Sequence, residues 1–594
     1  MKDFVKMTLA TLAGLLLFGF ASMFIMFGMI GAVAALGDSA PAMPSEAVLD
    51  IDMSKFILAE QTTETNPLDM IKAKGEAPAT LGIWDAVNAI NVAATDPAVK
   101  FIYLRPDGLS GQFAHTEELR KALAAFRATS GKAIVAYTES PGNGSYYLAS
   151  AADKIYMTPH DGAMNSFCGI SSQLIFLKDV LDRLGINMQL IRHGKYKSAG
   201  EMFIRSTSSK ENLEQNEAMV KSLWKSLSSE IAASRNISVE DLNNMLDNLE
   251  LNFPEDFIEK GLVDELLDRE QLQQKIADLY VTEDYEDVKS ISLADYAQLK
   301  KPVNLKAKNK LAVIYANGDI IDGKDKENVA GDRYAKIIAD VRKDTTVKAV
   351  VLRVNSPGGS VLASEKIKAE LDLLRENVPV IASYGGYAAS GGYWISANTD
   401  RIFSNATTLT GSIGVFSMIP DFSKAINDKL HVNVTQVNSN RHADMLTGMR
   451  ALNPQEVAYM QASVEKIYDK FTSIVSNGRN MTVEAVDNIA QGRVWTGAEA
   501  LGIGLVDELG TLEDALRYAA MSIDGVSDLS EVELVEYPKP QDPLTALIEE
   551  LTGGSEMALF EGTSLENVEK AFQSINETQT GKAYARIPYE IILK

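Results

Sequence analysis

Asp96-Pro-Ala-Val-Lys-Phe-Ile-Tyr-Leu-Arg105 decides the fold, because its pattern returns 248 positions later as Asp344-Thr-Thr-Val-Lys-Ala-Val-Val-Leu-Arg353. Two more pairs follow in the same order: Asp153-Lys-Ile-Tyr156 with Asp400-Arg-Ile-Phe403, and Gly261-Leu-Val-Asp-Glu-Leu266 with Gly504-Leu-Val-Asp-Glu-Leu509. Three ordered matches are improbable by chance. They indicate that the chain contains two copies of one unit.

Each copy has the same alternation of patterns. A β-branched or aromatic run is followed by a helical pattern and then by a second short apolar run. These segments are Phe101 to Leu104, Thr116 to Ala128 and Ala133 to Tyr137 in the first copy, and Ala349 to Val354, Ala363 to Arg375 and Val378 to Ser383 in the second. A β-α-β alternation predicts an α/β fold with a parallel sheet covered by helices.

The N-terminal segment predicts a membrane anchor. Met7 to Leu36 contains no charged residue and, at about 1.5 Å per residue, is long enough to cross a bilayer. Lys2 and Lys6 precede it, so the positive-inside rule places the N-terminus in the cytoplasm and the body outside. A cleaved secretion signal ending near Ala32-Val-Ala34 is the alternative, although the apolar run exceeds the usual h-region of about 7–15 residues.

With 594 residues, the chain is too long for one ordinary core. We assign residues 1–40 to the anchor, 41–300 to the first repeat, 301–545 to the second repeat and 546–594 to a C-terminal extension. Residues 280–308 are interpreted as the connection between the repeats. Residues 537–562, which are rich in proline and glycine, mark this extension, and the sequence predicts no role for it.

Composition excludes several classes of function. A net charge of -23 argues against nucleic-acid binding, which needs a basic face. Cys168 is the single cysteine, so neither an intrachain disulfide nor a thiolate metal site is possible. Zinc-protease and phosphate-loop motifs do not occur. We therefore expect no metal and no cofactor.

Three glycine-rich turns in the second copy are candidates for an active site: Asn355-Ser-Pro-Gly-Gly359, Ala389-Ser-Gly-Gly392 and Thr410-Gly-Ser-Ile-Gly414. The amides of Gly358 and Gly359 can approach a carbonyl oxygen closely and form an oxyanion hole, although an ordinary Pro-Gly turn is the simpler interpretation. Ser390 and Ser412 compete as nucleophile. Spacing does not choose between them, and either serine could simply cap a helix or turn.

The base for such a serine is predicted to be a lysine, because none of the five histidines lies in a recognisable triad motif. A lysine base must be neutral near pH 7, so its pKa has to fall by roughly three units, at a cost of about 4 kcal/mol. Burial among small residues imposes such a shift. Lys197 is followed by Ser198-Ala199-Gly200, and Lys195 is its nearby rival.

Together these segments resemble the long form of signal peptide peptidase A, the protease IV family of the Clp-protease/crotonase fold group. The resemblance covers roughly residues 5 to 540 and depends on Thr410-Gly-Ser-Ile-Gly414 paired with Gly194-Lys-Tyr-Lys-Ser-Ala199. It implies two tandem Clp-protease/crotonase-like domains after a transmembrane helix. It also implies that Ser412 is the nucleophile, Lys197 the base, and Gly358 and Gly359 the oxyanion donors. Ser439 aligns loosely with a serine that hydrogen-bonds the lysine in this family.

The resemblance also implies a function. We expect a membrane-anchored serine endopeptidase with a Ser-Lys dyad that degrades cleaved signal peptides and other apolar peptides, with small residues at the cut. The resemblance implies that the protein lies in the bacterial inner membrane, with the catalytic body on the periplasmic side. It also implies a homotetramer, in which the dyad forms either within a chain or between chains.

The duplication adds a separate argument for this dyad. The position of Ser412 corresponds in the first copy to Asn165, with Ser166 one place further on, and the position of Lys197 corresponds in the second copy to Asp444. Each copy thus keeps one half of the dyad. Two other functions stay open: a crotonase-type acyl-CoA enzyme, which uses similar glycine-rich turns, and a catalytically inactive membrane scaffold.

Overall fold

The computed structural model describes residues 41–63, 78–162, 164–301, 304, 307–539 and 582–587, together with eight isolated positions between 6 and 20. The predicted anchor and most of the C-terminal extension lie outside the described residues. Among the helices of the described part, none is long and apolar enough to span a bilayer.

The described part of the chain alternates between strands and helices. The strands are β1 (Ala47–Asp52), β2 (Phe56–Ala59), β3 (Ala79–Gly82), β4 (Val99–Arg105), β5 (Ile134–Thr138), β6 (Lys154–Met157), β7 (Asn187–His193), β8 (Glu265–Leu266), β9 (Ser290–Ser292), β10 (Lys310–Asn317), β11 (Ile320–Ile321), β12 (Val329–Ala330), β13 (Val347–Ser356), β14 (Gly358–Ser360), β15 (Val380–Ala389), β16 (Arg401–Ser404), β17 (Leu409–Gly411), β18 (Val415–Asp421), β19 (Val494–Thr496), β20 (Glu508–Leu509), β21 (Glu533–Tyr537) and β22 (Tyr584–Arg586). The α-helices are α1 (Ile83–Thr95), α2 (Phe113–Ser130), α3 (Asn143–Ala149), α4 (Lys178–Leu184), α5 (Glu201–Ile204), α6 (Lys210–Arg235), α7 (Val239–Asp247), α8 (Pro254–Glu259), α9 (Arg269–Tyr280), α10 (Leu293–Leu299), α11 (Gly331–Lys343), α12 (Val361–Arg375), α13 (Gly391–Ser396), α14 (Pro454–Arg479), α15 (Val483–Ile489), α16 (Gly497–Gly502) and α17 (Leu512–Met521).

Two sheets repeat one topology. The first has the order β8-β6-β5-β4-β1-β9, and the second contains the order β20-β16-β15-β13-β10-β21. All neighbours within these two series are parallel. The second sheet adds β17 beside β15, and β19 beside β17. The prediction of two tandem α/β repeats is confirmed, strand by strand.

The region interpreted as a connection, 280–308, includes regular secondary structure among its described residues. It contains the edge strand β9 and the helix α10. Strand β9 pairs in parallel with β1 and closes the first sheet. Its equivalent in the second repeat is β21, which pairs with β10. The polar composition of this region is compatible with such a strand, because a short edge strand needs few apolar residues.

The repeated Gly-Leu-Val-Asp-Glu-Leu motif has a structural role in both copies. Asp264 accepts a hydrogen bond from the backbone N–H of Ile155 over 2.9 Å, and Asp507 accepts the equivalent bond from Ile402 over 2.8 Å. Each carboxylate therefore ties its loop to the start of a strand that lies next to the edge of its sheet, β6 or β16. The identity of the two motifs reflects this shared local structure.

Helix α14 has residues typical of a helix start and a helix end at its two termini. Asn453 caps its first turn by accepting from the backbone N–H of Gln455 and Glu456, and Pro454 occupies the first helical position. These residue types are typical of a helix start. The helix ends at Arg479 and is capped by Asn480, whose φ of 53° is left-handed, a conformation that asparagine tolerates.

A third sheet joins the two repeats, with the order β12-β11-β14-β22-β18-β7. Strand β7 of the first repeat runs antiparallel to β18 of the second, so that His193 lies opposite Val415. The end of β7 therefore lies beside the start of β18. This pairing brings the loop that carries Lys197 next to the loop that carries Ser412.

A buried ion-pair network also crosses between the repeats. Arg353, on β13 and fully buried, contacts Glu60 over 2.7 Å and Glu118 over 2.8 Å. Glu60 also contacts His115 over 2.9 Å. Burial alone would raise the pKa of Glu60, but the charges of Arg353 and His115 outweigh it and lower that pKa to about 2. The carboxylate therefore stays ionised at neutral pH, and the network holds the end of β2 and helix α2 against the second sheet.

Candidate active site

Lys197 lies in the turn between β7 and α5, and its side chain is 1% exposed. The neighbouring Tyr196 donates its backbone N–H to the carbonyl of Gln491 over 2.9 Å, which ties this turn to the second repeat. A Cβ at Gly492 would lie 2.6 Å from Cβ of Lys197. Only glycine allows this close approach, so the pocket around the lysine is built from both repeats.

The amine of Lys197 contacts only hydroxyl and carbonyl oxygens among the described residues. Its Nζ lies 2.6 Å from Oγ of Ser390, 3.0 Å from Oγ of Ser412 and 3.0 Å from the carbonyl oxygen of Ser412. Burial holds the pKa of Lys197 well below its usual range, because the ammonium form loses its hydration. With no carboxylate bonded to it, the neutral amine is favoured and can accept a proton.

Ser412 occupies the turn between β17 and β18. Its φ is 48°, a left-handed conformation that is uncommon for residues other than glycine. The backbone N–H of Ser412 donates to the carbonyl of Arg493 over 2.7 Å, which holds the turn in place. Strained backbone of this kind often occurs at active sites. Here it directs the hydroxyl towards Lys197.

Ser390 is the second serine at the amine. It precedes α13, is fully buried, and has φ 56° and ψ −111°. Its backbone N–H donates to the carbonyl of Gly411, over 2.8 Å, just before Ser412. The two candidate nucleophiles of the sequence are therefore not alternatives in space: both hydroxyls bond to one lysine.

The other lysine and the loosely aligned serine lie elsewhere. Lys195 is exposed, and its amine lies over the ring of Tyr196, 5.1 Å from the centroid. Ser439 is also exposed and bonds to Asn440 over 2.9 Å. Ser390 thus occupies the bonding position that the resemblance suggested for Ser439. Sequence reasoning missed this, and its only signal was the small-residue segment around Ser390.

Gly358 and Gly359 form β14, which lies next to the residues that precede α13. Their φ values are 101° and 154°, and a Cβ at Gly359 would lie 1.9 Å from the carbonyl oxygen of Ile320. Glycine is therefore required at both positions. The backbone N–H of Gly358 donates to Oγ of Ser356 over 3.2 Å. Of the two predicted donors, Gly359 is the better candidate for an oxyanion hole.

The first repeat has no equivalent arrangement at the positions that correspond to the dyad. Asn165 bonds to the carbonyl of Leu251 over 2.8 Å, and Ser166 is exposed. In the second repeat, Asp444 forms an ion pair with Arg450 over 2.8 Å. The side chains at these positions serve local structure, as the division of the dyad between the copies predicts.

The hydrogen bonds of His115, His193 and His442 go to glutamates, and none of them involves Ser390 or Ser412. His193 bonds to Glu465 and His442 to Glu456, over 2.5 Å and 2.7 Å. His115 is committed to Glu60 in the buried network. Within the described ranges, no cluster of three or more His, Cys, Asp or Glu side chains could hold a metal ion.

Comparison with known proteins agrees with a peptidase site. Residues 126–282 and 372–524 match the model of peptidase family S49. The chain is 34% identical to Protease 4 of Haemophilus influenzae, over 83% of this chain and 82% of that protein. It is 37% identical to Protease 4 of Salmonella typhi, over 79% and 76%. It is 30% identical to the chloroplastic serine protease SPPA of Arabidopsis thaliana, over 77% and 68%.

Proposed function

Because the chain belongs to peptidase family S49 and is a serine protease, we propose that it hydrolyses peptides with Ser412 as nucleophile and Lys197 as general base. One observation carries this proposal. The amine of Lys197, whose pKa burial holds well below its usual range, lies 3.0 Å from the hydroxyl of Ser412. That distance suits direct proton transfer.

The proposed reaction begins when Oγ of Ser412 attacks the carbonyl carbon of the substrate. Neutral Lys197 accepts the hydroxyl proton, and the N–H of Gly359 stabilises the negative charge that develops on the carbonyl oxygen. Lys197 then protonates the leaving amine. A water molecule hydrolyses the resulting ester and restores Ser412.

Ser390 is assigned a positioning role rather than the nucleophilic one. Both hydroxyls reach the amine, but Ser412 belongs to the Thr-Gly-Ser-Ile-Gly segment through which the chain resembles its family. Ser390 is fully buried. Its bond to Nζ of Lys197 restrains the amine so that it faces Ser412.

The substrates we propose are apolar peptides with small residues at the cut, including cleaved signal peptides left in a membrane. The uncharged segment Met7 to Leu36 supports an anchor that holds a Clp-protease/crotonase-like catalytic body at the outer face of the bacterial inner membrane. The homotetramer of the family is proposed as the assembly. Since Lys197 and Ser412 meet within one chain here, each subunit can hold a complete dyad.

The dyad is tested by hydrolysis of an apolar peptide with alanine at the cut. Ser412→Ala and Lys197→Ala are each expected to lower kcat/KM by at least about 10³-fold. Lys195→Ala is the matched control, because that lysine is exposed on the same turn, and it should keep wild-type activity. Full activity in both dyad variants would refute the proposal. The anchor is tested separately, by cell fractionation with and without residues 1–40.

A further inference from the structure

Helix α6 buries polar side chains near its start, where a helix that faces a core usually carries apolar ones. Asn212, Gln215 and Asn216 are 5%, 1% and 4% exposed. They lie on one face of the helix, because residues three and four positions apart are neighbours there. Buried polar groups need hydrogen-bond partners, so the partners of these side chains indicate what this face of the helix does.

The side-chain amide of Gln215 joins the turn that carries Lys197 to strand β19. Its nitrogen, Nε2, donates to the carbonyl of Tyr196 over 3.2 Å and to Oγ of Ser198 over 2.9 Å. Its oxygen, Oε1, accepts from the backbone N–H of Val494 over 3.3 Å. Since a carbonyl only accepts and a backbone N–H only donates, these partners fix the orientation of the amide.

On the serine side, Gln215 contacts a peptide group that also bonds to the nucleophile. This peptide group joins Arg493 to Val494. Its N–H donates to Gln215, and its carbonyl accepts the backbone N–H of Ser412 over 2.7 Å. Hydrogen bonds in such a chain polarise and strengthen one another. Gln215 therefore holds the strand against which the turn of Ser412 is fixed.

On the lysine side, the contacts of the amide lie on both sides of the base. Tyr196 and Ser198 are the residues directly before and after Lys197. Both bond to Nε2 of Gln215. The backbone from which the lysine side chain extends is thereby held at two points. One buried amide thus contacts the chain next to the base and the chain next to the nucleophile.

Glu214, the preceding residue, joins the same two segments at the surface. Its Oε1 accepts from the hydroxyl of Tyr196 over 3.1 Å and from Nη1 of Arg493 over 3.0 Å. The side chain of Glu214 is 53% exposed, and exposed ion pairs of this kind contribute little. The buried amide of Gln215 is therefore the stronger of the two links.

The second repeat shows that the fold does not require a glutamine at this position. Helices α6 and α14 each have 26 residues and are capped by Ser209 and Asn453. The sixth position after the cap is Gln215 in the first repeat and Tyr459 in the second, and Tyr459 is 66% exposed. The buried glutamine thus occurs in the repeat that carries the lysine, as expected of a residue that serves the dyad.

We propose that Gln215 is a positioning residue of the peptidase, whose amide fixes the amine of Lys197 at bonding distance from the hydroxyl of Ser412. This inference rests on the proposed function, because it concerns the same dyad. Gln215 acts through the two segments that it joins. Without the amide, these segments can move apart, and water can reach the lysine.

Gln215→Met tests the role, because methionine keeps the length of the side chain and removes its hydrogen bonds. Steady-state hydrolysis of an added apolar peptide by the purified full chain should show kcat lowered about 10- to 100-fold, the cost of a misplaced catalytic group. KM should change less than about 2-fold, since the variant removes no interaction assigned to substrate binding. Thermal unfolding checks that the variant is folded.

The pH profile of the same variant gives a readout that a merely structural role would not move. Hydration of the amine brings the pKa of Lys197 closer to that of an ordinary lysine, so the acid limb of kcat/KM should shift to higher pH. The charged pair beside this turn, Arg192 with Glu201 over 3.1 Å, bonds to the carbonyl of Lys197 through Arg192. The substitution leaves that pair in place, so the shift reports on the amide.

Two neighbouring positions supply matched controls. Asn216→Leu removes a buried amide from the same helix face, and that amide bonds to Asn212 of its own helix and to Ser172. Glu214→Gln weakens the surface link alone. Both variants should keep the kcat and the acid limb of the wild type. An equal loss of kcat in Asn216→Leu, or a wild-type kcat and pH profile in Gln215→Met, overturns the inference.

Gln215→Glu keeps the inference testable if Gln215→Met does not fold. The ionised carboxylate has the shape of the amide but no N–H to donate to Tyr196, so kcat should again fall. Its charge beside the turn also favours the ammonium of Lys197 and moves the acid limb to higher pH. Wild-type kcat and pH profile in folded Gln215→Glu would overturn the positioning role.

Ser412→Ala separates the two proposals in the same assay. If Ser412→Ala is inactive while the folded Gln215 variants match the wild type, only the positioning role is refuted. If Ser412→Ala hydrolyses the peptide at the wild-type rate, the proposed function itself is refuted. Loss of activity in Ser412→Ala, together with the lowered kcat and shifted acid limb in Gln215→Met, supports both.

Discussion

Nζ of Lys197, from the first repeat, lies 2.6 Å from Oγ of Ser390, from the second. Both side chains are buried, Lys197 to 1% exposure and Ser390 completely. A buried amine needs hydrogen-bond partners, and Ser390 supplies one without adding a charge. The lysine is thereby oriented while its neutral form stays favoured.

Ser390→Ala is expected to lower kcat about 10-fold with little change in KM, because the amine loses a restraint but keeps its contact with Ser412. Loss of a hydroxyl that accepts from the ammonium also shifts the pKa of Lys197 further down, so the acid limb of the pH profile should move to lower pH. Steady-state kinetics across pH measure both effects. If Ser390→Ala is inactive while Ser412→Ala is active, the two roles are reversed.

The pH dependence of the wild type should report on Lys197. Activity requires the neutral amine, so kcat/KM is expected to rise with pH and level off above the pKa of that lysine. Burial lowers this pKa well below 10.5, so the plateau should be reached well before an exposed lysine loses its proton. A rise that appears only near pH 10.5, at the titration of an ordinary lysine, would show that the amine is not desolvated in solution.

The buried carboxylate of Glu60 should make stability depend on acid pH. Its pKa falls from 4.5 to about 2 on folding, so its contribution is complete above pH 4.5 and is lost as pH falls towards 2. Glu60→Gln leaves Arg353 short of one charged partner and should cost about 3–5 kcal/mol at neutral pH. Denaturant unfolding at several pH values measures this, with the exposed Glu376→Gln as control. Equal stability of the two variants would contradict it.

Gly359→Ala should impair both folding and activity. A Cβ there would meet the carbonyl oxygen of Ile320 at 1.9 Å, with φ at 154°, so we expect a loss of more than about 2 kcal/mol. Gly131→Ala is the matched control, because its φ of 69° is also left-handed but nothing lies within 4 Å. It should cost only about 1 kcal/mol and keep its activity. Thermal unfolding and peptide hydrolysis compare the two variants.

The candidate residues could be recognised from their neighbours in the sequence, but the contacts among them could not. Lys197 stood out by the small residues after it, and Ser412 by its flanking glycines. Small neighbouring residues also marked Ser390. No local sequence pattern indicated that the three side chains would contact one another. Residues 582–587 gave no signal at all, since a short strand that pairs at both edges needs no distinctive composition.

The sequence by itself determined the duplication, the β-α-β order within each repeat and the small set of side chains able to carry the chemistry. These depend on local pattern, because periodicity and turn chemistry act over a few residues. Only the tertiary structure decided that Ser390 and Ser412 share one amine and that the C-terminal strand β22 pairs with β14. Contacts across some 200 positions depend on which strands pair. Here the pairing of β7 with β18 brings Lys197 next to Ser412.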